Sequence, residues 1–259
     1  MIDADPTADT DGDGVFDVAD NCPTLANSDQ RDYDTDQRGD PCDRCPHIAD
    51  ASDPDQDNDG VGDDCDPYPA DGGEVRQRWT SFHAVTEING WSAISAWDVN
   101  TMGVAPTSSI VTSGLQPTTP TGKLAASTMV RIDNTFGEND AAGVCMADTF
   151  TGNEYYCCAL FGANGGLELR IENRWDGGSD QSTVAWPGST TVGTRIAISG
   201  AILDEETRCV FEEVGGNAPV VRTGNRGESA PTGRPTIYTD RVIASFRYLF
   251  VVSVGPGPD

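Results

Sequence analysis

A chain of 259 residues has room for one small and one medium domain. It carries 42 acidic against 16 basic side chains, a formal net charge of −26, which excludes nucleic acid and anionic membrane surfaces as partners because both require clustered cations. No stretch approaches the roughly 18 apolar residues of a membrane-spanning helix, and the acid is concentrated: residues 1–73 hold 22 acidic and three basic side chains, a net of −19.

In chain order, Met1 to Ala8 is a polar lead-in. It has neither the basic start nor the apolar run of a signal peptide, so a leader removed upstream is the expectation. From Asp9 a twelve-residue acidic loop is written three times with a period of 23 residues, as Asp9 to Asp20, Asp32 to Asp43 and Asp55 to Asp66. Each copy is acidic at positions 1, 3, 5, 9 and 12. A hard cation explains that register: calcium takes about six to eight oxygens, and a wrapping loop supplies side chains at 1, 3 and 5, a backbone carbonyl at 7, and ligands at 9 and 12, with glycine at 6. The expected metal ligands are Asp9, Asp11, Asp13, the carbonyl of Val15, Asp17 and Asp20 in the first loop. They are Asp32, Asp34, Asp36, the carbonyl of Arg38, Asp40 and Asp43 in the second, and Asp55, Asp57, Asp59, the carbonyl of Val61, Asp63 and Asp66 in the third. Gly14 and Gly60 fill position 6, whereas the second loop has Gln37 there, which marks it as the most distorted site. Three or more calcium ions follow, with Asp5, Asp29, Asp50 and Asp53 as further acids.

Aspartate-rich runs are usually solvated and disordered, but composition alone does not hold five acidic positions in register through three copies. EF-hand and dockerin loops need a helix on each side. Only eleven residues separate these loops, and they carry Cys-Pro, Asn, Asp and Ser rather than an apolar stripe.

Asp-Asn-Cys-Pro at 20–23, Asn27-x-x-Gln30-x-Asp32, and the endings Gly39-Asp40-Pro41-Cys42-Asp43 and Gly62-Asp63-Asp64-Cys65-Asp66 closely resemble thrombospondin type 3 repeats, over residues 5–68. The resemblance implies a chain almost without regular secondary structure, wrapped around a row of calcium ions and stapled by Cys22–Cys42 and Cys45–Cys65. Departures are Gln37 for glycine, Asp50 where the first copy has Asn27, and Arg44 where it has Asn21, the last costing a ligand near the third loop. With few apolar residues, the segment needs metal and disulfides to offset its chain entropy. Eight cysteines and millimolar-calcium sites point to an oxidising, extracellular or cell-surface setting.

Tyr68 to Gly73 reads as a boundary. The expected division is a lead-in at 1–8, calcium repeats at 9–69, a sandwich at 74–254 and a Gly/Pro tail at 255–259. Beyond the boundary, alternating or β-branched segments recur: Trp79 to Thr86, Ala93 to Val99, Lys123 to Ile132, Ala142 to Ala147, Glu154 to Phe161, Leu167 to Glu172, Thr194 to Leu203, Arg208 to Val214 and Arg241 to Val254. Many short strands without a helical stripe predict a mostly β chain with a jelly-roll β-sandwich. Pro106 to Thr121 reads as a long loop or a site of O-linked sugar. Ala142-Gly143-Val144-Cys145 with Tyr155-Tyr156-Cys157-Cys158, Gly166 to Ile171, Ile237-Tyr238-Thr239 and Ala244 to Tyr248 resemble concanavalin A-like or laminin G-like jelly rolls. A calcium arm leading into such a sandwich is also similar to the C-terminal end of the thrombospondins.

If the strand ending in Phe161 folds back about Thr151-Gly152-Asn153, Cys145 falls opposite Cys158 and Cys157 faces the other way. The pairings Cys145–Cys158 and Cys157–Cys209 are then favoured among the three that sequence allows. Zinc is the alternative use of these cysteines, but vicinal Cys157 and Cys158 do not easily reach one tetrahedral ion.

No enzyme is expected. Glu168 and Glu172 lie on one strand roughly 13 Å apart, too far for a glycosidase pair, there is no Gly-x-Ser-x-Gly elbow, and His83 reads as structural. Trp79, Trp91, Trp97, Trp175 and Trp186 could stack on sugars or fill the core. Two functions remain. One is a structural or adhesive extracellular protein, its calcium arm a metal-set spacer, with self-association head to tail into filaments and Ile2 to Thr10 adding to a sheet edge. The other is a lectin-like module that takes a glycan partner and is presented on the arm.

Overall fold

The computed structural model describes residues 5–109, 112–118, 124–147, 155–163, 165–175, 178–202, 206–216, 219–225 and 233–253. Residues 1–4, Lys123, the Thr151–Gly152–Asn153 turn, Asp176-Gly177, Leu203 and the tail lie outside them. The chain divides into two compact units, Met1–Glu74 and Val75–Asp259.

Among its described residues the first unit contains turns and no strand or helix. The 23-residue period is visible in its backbone. The amides of Asp17, Asp40 and Asp63 donate to the carbonyls of Ala8, Arg31 and Pro54, each at 2.9 Å. Cys22–Cys42 and Cys45–Cys65 are bonded, with Cα separations of 5.8 and 5.7 Å. Among the described residues the buried apolar side chains here are Cys22, Cys45, Pro46 and Val61, while Phe16, Val18 and Leu25 are exposed. So small a core does not offset the entropy of ordering the chain. Position 6 of each loop has positive φ, +97° at Gly14, +83° at Gln37 and +95° at Gly60, so the second loop places a side chain where glycine is favoured.

The second unit is a sandwich of two antiparallel sheets. The strands are β1 (Val75–Thr80), β2 (Ser92–Ile94), β3 (Trp97–Asn100), β4 (Gly103–Pro106), β5 (Ser113–Gln116), β6 (Leu124–Ile132), β7 (Ala141–Ala147), β8 (Tyr155–Ala163), β9 (Gly166–Trp175), β10 (Gly178–Ala185), β11 (Arg195–Ile202), β12 (Glu206–Glu213), β13 (Val220–Asn225), β14 (Arg234–Asp240) and β15 (Ala244–Ser253). One sheet has the order β13-β12-β11-β6-β15-β4-β3, with β1 also paired to β15; the other runs β10-β9-β8-β7-β14-β5-β2. A bulge between Phe246 and Leu249 lets β15 hold β6 along one side while β4 and then β1 share the other.

Alternation sets the core. Leu124, Val130 and Ile132 of β6, Ile196, Ile198 and Ile202 of β11, and Phe246, Leu249 and Val251 of β15 face Val144 and Met146 of β7, Tyr156 and Leu160 of β8, and Leu169 and Ile171 of β9. Each fully buried side chain of this kind contributes about 1.5–3 kcal/mol.

Several boundaries differ from the sequence reading. The segment expected from Trp79 to Thr86 is β1 ending at Thr80, followed by a 3-10 turn at Val85–Ile88. The run Ala93 to Val99 is broken at Ser95, whose φ is +65°. The break sends β2 to one sheet and β3 to the other, so an apparently continuous strand is the crossing between layers. The expected loop Pro106 to Thr121 contains β5, buried along its length between β2 and β14. The sheet-end strands β10 and β13 lie outside the segments expected from alternation, because Ser, Asp, Gln, Arg and Thr interrupt theirs.

The sandwich disulfides are Cys145–Cys157 and Cys158–Cys209, which corrects the favoured pairing of Cys145 with Cys158 and Cys157 with Cys209. The hairpin register is one residue away from the expected one: Cys145 stands opposite Cys157, and Val144 opposite Cys158. A one-residue slip exchanges the faces of a whole strand. Cys145 and Cys157 therefore bond across the outer face of their sheet. Cys158 points inward and staples β8 to Cys209 of β12, joining the two layers. Both of these sulfurs are fully buried.

Gly200 makes room for that staple. A Cβ at this position would lie 2.7 Å from the Cys158 Sγ and 3.4 Å from the Tyr156 ring. Gly200→Ala is expected to cost about 1–3 kcal/mol by overpacking, read as a lowered thermal midpoint. An unchanged midpoint would mean that the staple shifts freely. In the first unit, Gln37→Gly is expected to gain about 0.5–1 kcal/mol, relief of a left-handed side chain exceeding the added entropy of glycine. Calorimetry in calcium checks this, and a loss of stability would refute it.

Candidate functional site

The three loops fold by one local rule: at each repeating position a carboxylate oxygen captures a nearby backbone amide. At position 1, Asp9 accepts the amides of Gly12 (2.7 Å) and Gly14 (3.1 Å), Asp32 those of Thr35 (2.7 Å) and Gln37 (2.9 Å), and Asp55 that of Gly60 (3.2 Å). At position 3, Asp11, Asp34 and Asp57 accept the amides of Asp13, Asp36 and Asp59 at 3.2, 3.3 and 3.2 Å. At position 5, Asp13, Asp36 and Asp59 accept the amides of Val15, Arg38 and Val61 at 2.8, 2.8 and 2.9 Å. Asp17, Asp40 and Asp63 at position 9 accept Thr10, Tyr33 and Gln56, each at 2.8 Å. Asp20, Asp43 and Asp66 at position 12 accept Cys22, Cys45 and Tyr68 at 2.8, 2.8 and 2.7 Å. The bonds at positions 3, 5 and 12, each to the amide two residues on, are Asx turns, while those at positions 1 and 9 close the loop over three to seven residues; such local bonds compete with helix and strand.

The bonds to positions 3 and 12 engage Oδ1, which aims the second oxygen elsewhere. Oδ2 of Asp11 and Asp20, of Asp34 and the position-5 Asp36, and of Asp57 and Asp66 is buried and accepts no hydrogen bond, as is Oδ1 of the position-1 Asp55; Asp43 at position 12 is not in this set. Carboxylate oxygens crowded together without donors are costly, and a divalent cation is the partner that hard anionic oxygens fit. Three groups have ligand oxygens within 4.8 Å of one another: Asp9, Asp11 and Asp13; Asp32, Asp34 and Asp36; and Asp57, Asp59, Asp66 and Glu74. Asp17, Asp20, Asp40, Asp43, Asp55 and Asp63 fall outside these groups. Glu74, 2% exposed, belongs to the third group although it lies beyond the twelve-residue frame, and no repeat position signals it.

Electrostatics agree with the geometry. Burial, reinforced by neighbouring carboxylates, pushes Asp34 and Asp66 up to about 6 and Asp43 up to about 7. Asp11 and Asp57 are shifted the same way by the same causes. The ionised forms lack a counter-charge.

A second site lies on the outer face of the seven-stranded sheet, where a cleft of about 300 Å³ is lined by Tyr155, Phe161, Glu172, Tyr238, Asp240 and the Cys145–Cys157 disulfide. Strand register explains it. The row Tyr238, Gly143, Ala159, Arg170 crosses four strands with small residues at its middle, so larger side chains in the flanking rows become walls. The Tyr155 hydroxyl donates to Glu172 Oε1 at 2.6 Å. Burial and that carboxylate push Tyr155 up to about 12, and burial raises Tyr238 as well. The Arg170 guanidinium stacks on Phe161 at 3.6 Å from the ring centre, and Thr112 donates to Asp240 at 2.8 Å.

The tryptophans singled out in the sequence are elsewhere. Trp186 is in the core, Trp91 and Trp97 pack against it, and Trp79 packs on Tyr248 and Phe250. The Trp175 side chain is outside the described residues. Glu168 lies 4.0 Å from Arg170. His83 pairs with Glu87 and meets the Ser81 hydroxyl.

Residues 7–30 match the family described as thrombospondin type 3 repeat, a span that covers the first loop. No curated protein matches the chain. Among solved structures, the CBM2 module of the Lactobacillus casei BL23 phage J-1 evolved Dit is 9% identical, covering 72% of this chain and 98% of that one with a TM-score of 0.56. Crh5 transglycosylase in complex with NAG is 9% identical, covering 69% and 84%, with a TM-score of 0.51. The GH43 BlXynB protein from Bacillus licheniformis is 12% identical, covering 69% and 39%, with a TM-score of 0.50. At these identities the likeness is one of fold. The chain thus carries a thrombospondin type 3 repeat ahead of a jelly-roll-like β-sandwich.

Proposed function

We propose that this is an extracellular calcium-binding protein whose sandwich is a lectin-like, glycan-binding module and whose first unit is a metal-set spacer. The observation that carries the calcium half is the recurrence, in all three loops, of buried carboxylate oxygens with no donor. The resident ions would be held by Asp9, Asp11 and Asp13, by Asp32, Asp34 and Asp36, and by Asp57, Asp59 and Asp66. Calcium would supply counter-charge and folding free energy; the chain's own contribution is the amide bonds that hold one oxygen of each carboxylate and orient the other. Four disulfides support an oxidising setting.

The cleft supports the glycan half: aromatic rings with a polar rim suit a sugar's apolar faces and hydroxyls. The structural neighbours named as a CBM2 module and as a transglycosylase in complex with NAG support this reading. Binding is favoured over hydrolysis by spacing. Glu172 on β9 stands in the row of Cys157, Cys145 and Thr236, so Asp240 is three strands across and four residues along β14 from it, about 20 Å between backbones, too far for the two side chains to bring their carboxyls to the roughly 5–9.5 Å that glycoside hydrolysis requires. Adhesion by head-to-tail assembly is a second reading, favoured by the open sheet ends at β10 and β13. Light scattering and electron microscopy test it, and a monomer in calcium at every concentration would remove it.

A pH dependence follows for calcium. Carboxyls raised to about 6–7 in the calcium-free fold favour that fold at low pH and oppose it as pH rises through this window. In chelator the first unit is expected to expand between about pH 4 and 7, the interval from the ordinary carboxylate value to the raised ones, calcium should reverse the expansion at pH 7.5, and calcium affinity should fall as pH drops below about 7. Small-angle scattering and calorimetry check this; dimensions indifferent to both pH and calcium would refute it.

For the cleft, Tyr238→Ala is expected to weaken glycan binding about tenfold, or 1.4 kcal/mol, and Tyr155→Phe to weaken it less, with the thermal midpoint monitored alongside. A glycan array without a hit would sink the lectin half.

A further inference from the structure

The three loops act as internal controls for one another, and the third departs from the other two at both ends. At its start, the guanidinium of Arg44 lies against the position-1 carboxylate, with Nε 3.0 Å from Asp55 Oδ2 and Nη1 2.7 Å from Asp53 Oδ2. The residue one repeat earlier is Asn21, a neutral amide that donates to the Gln30 carbonyl at 3.1 Å. The residue aligned with Asp53 is likewise the neutral Gln30, whose Oε1 accepts the Asn21 amide at 2.9 Å; in the later copy Asp53 Oδ1 accepts the Arg44 amide at 3.1 Å. A neutral pair has become a charged one at the same place, and its spare charge reaches Asp55. Asp9 and Asp32 belong to their loops' oxygen groups, whereas Asp55 is missing from the third: Arg44 engages its Oδ2, and its Oδ1, buried without a hydrogen-bond partner, is not grouped with the oxygens of Asp57, Asp59, Asp66 and Glu74.

At its far end, the third loop gains an acid. Asp59 Oδ2 accepts the amides of Gly73 (3.1 Å) and Glu74 (2.8 Å), where Asp13 Oδ2 accepts the amide of Asn27 alone, at 2.8 Å. This turn, with Gly73 at a φ of +143°, brings the Glu74 carboxylate to within 4.8 Å of those of Asp57, Asp59 and Asp66. The positions aligned with Glu74 are Ser28 and Ala51, neither of which is acidic.

We propose that the third calcium site is rebuilt around Asp57, Asp59, Asp66 and Glu74, with Arg44 holding Asp55 out of it, so that this site loads last and clasps residues 67–74. The proposal rests on the calcium reading above. A fixed cation beside one ligand repels a divalent ion in the same loop and weakens binding there. Glu74 replaces the lost carboxylate from outside the loop, which ties occupancy to the order of the segment between Asp66 and Glu74.

The test is calcium titration calorimetry of the full chain after chelation, combined with limited chymotrypsin cleavage at Tyr68, which lies in that segment. Asp57→Asn identifies the third-site step as the one it abolishes. That step should be the weakest in the unaltered protein, and Tyr68 should become protected only as it completes. Arg44→Asn should tighten that step about tenfold while leaving the other two within about twofold. Glu74→Gln should weaken it at least tenfold and leave Tyr68 cleavable at calcium concentrations that protect the unaltered chain. Because Arg44→Asn is expected to gain affinity, misfolding cannot imitate it. A third step indifferent to Arg44→Asn or to Glu74→Gln, with calcium still bound, overturns the proposal alone. No calcium uptake by the unaltered chain overturns the calcium reading along with it.

Discussion

The first unit depends on how the mutual repulsion of its carboxylates is managed. A net charge of −19 on residues 1–73 would expand any chain lacking a core, and among its described apolar side chains this one buries little beyond two cysteines, a proline and a valine. Order comes from dividing the work within each aspartate. One oxygen takes a backbone amide and fixes the turn, and the other points to where opposite charge must come. The polar backbone groups that a helix or sheet would pair internally are paired here with the side chains that create the electrostatic problem. Folding and metal binding are then a single equilibrium.

The sandwich is stabilised differently. Its β-branched and aromatic side chains alternate into two facing layers, and Cys158–Cys209 joins the layers where Gly200 leaves space. The other disulfide, Cys145–Cys157, lies on the opposite face of the same hairpin and forms part of the cleft wall. Vicinal cysteines thus serve two surfaces because consecutive residues of a strand point in opposite directions.

Much of this was legible in the sequence, and the failures have physical causes. The loops were legible because ligand spacing is local: positions 1, 3, 5, 9 and 12 are set by a turn that closes within twelve residues. Glu74 was not, since its approach depends on the chain doubling back through Gly72 and Gly73. The layered β fold showed in the alternation of β6, β11 and β15, whereas β10 and β13 carry too many polar residues to announce themselves. The disulfide pairing turned on one residue of hairpin register, which depends on the geometry of the connecting turn rather than on the strands. The break at Ser95 was hidden because Ala93 to Val99 contains no proline or glycine to mark it. The cleft was invisible because Gly143 and Ala159 are neighbours only across paired strands, and the core or its margins claim four of the tryptophans that could have stacked on a sugar.

The closure of each structural element within its own period has an evolutionary side. Both staples of the first unit span 20 residues of a 23-residue repeat, and the amide bonds that shape each loop rarely reach further. Gene duplication in whole units could therefore lengthen or shorten such a segment without forcing its neighbours to repack. The module at the end could then be exchanged for another while the copy number drifts independently, making reach and recognition separately heritable traits.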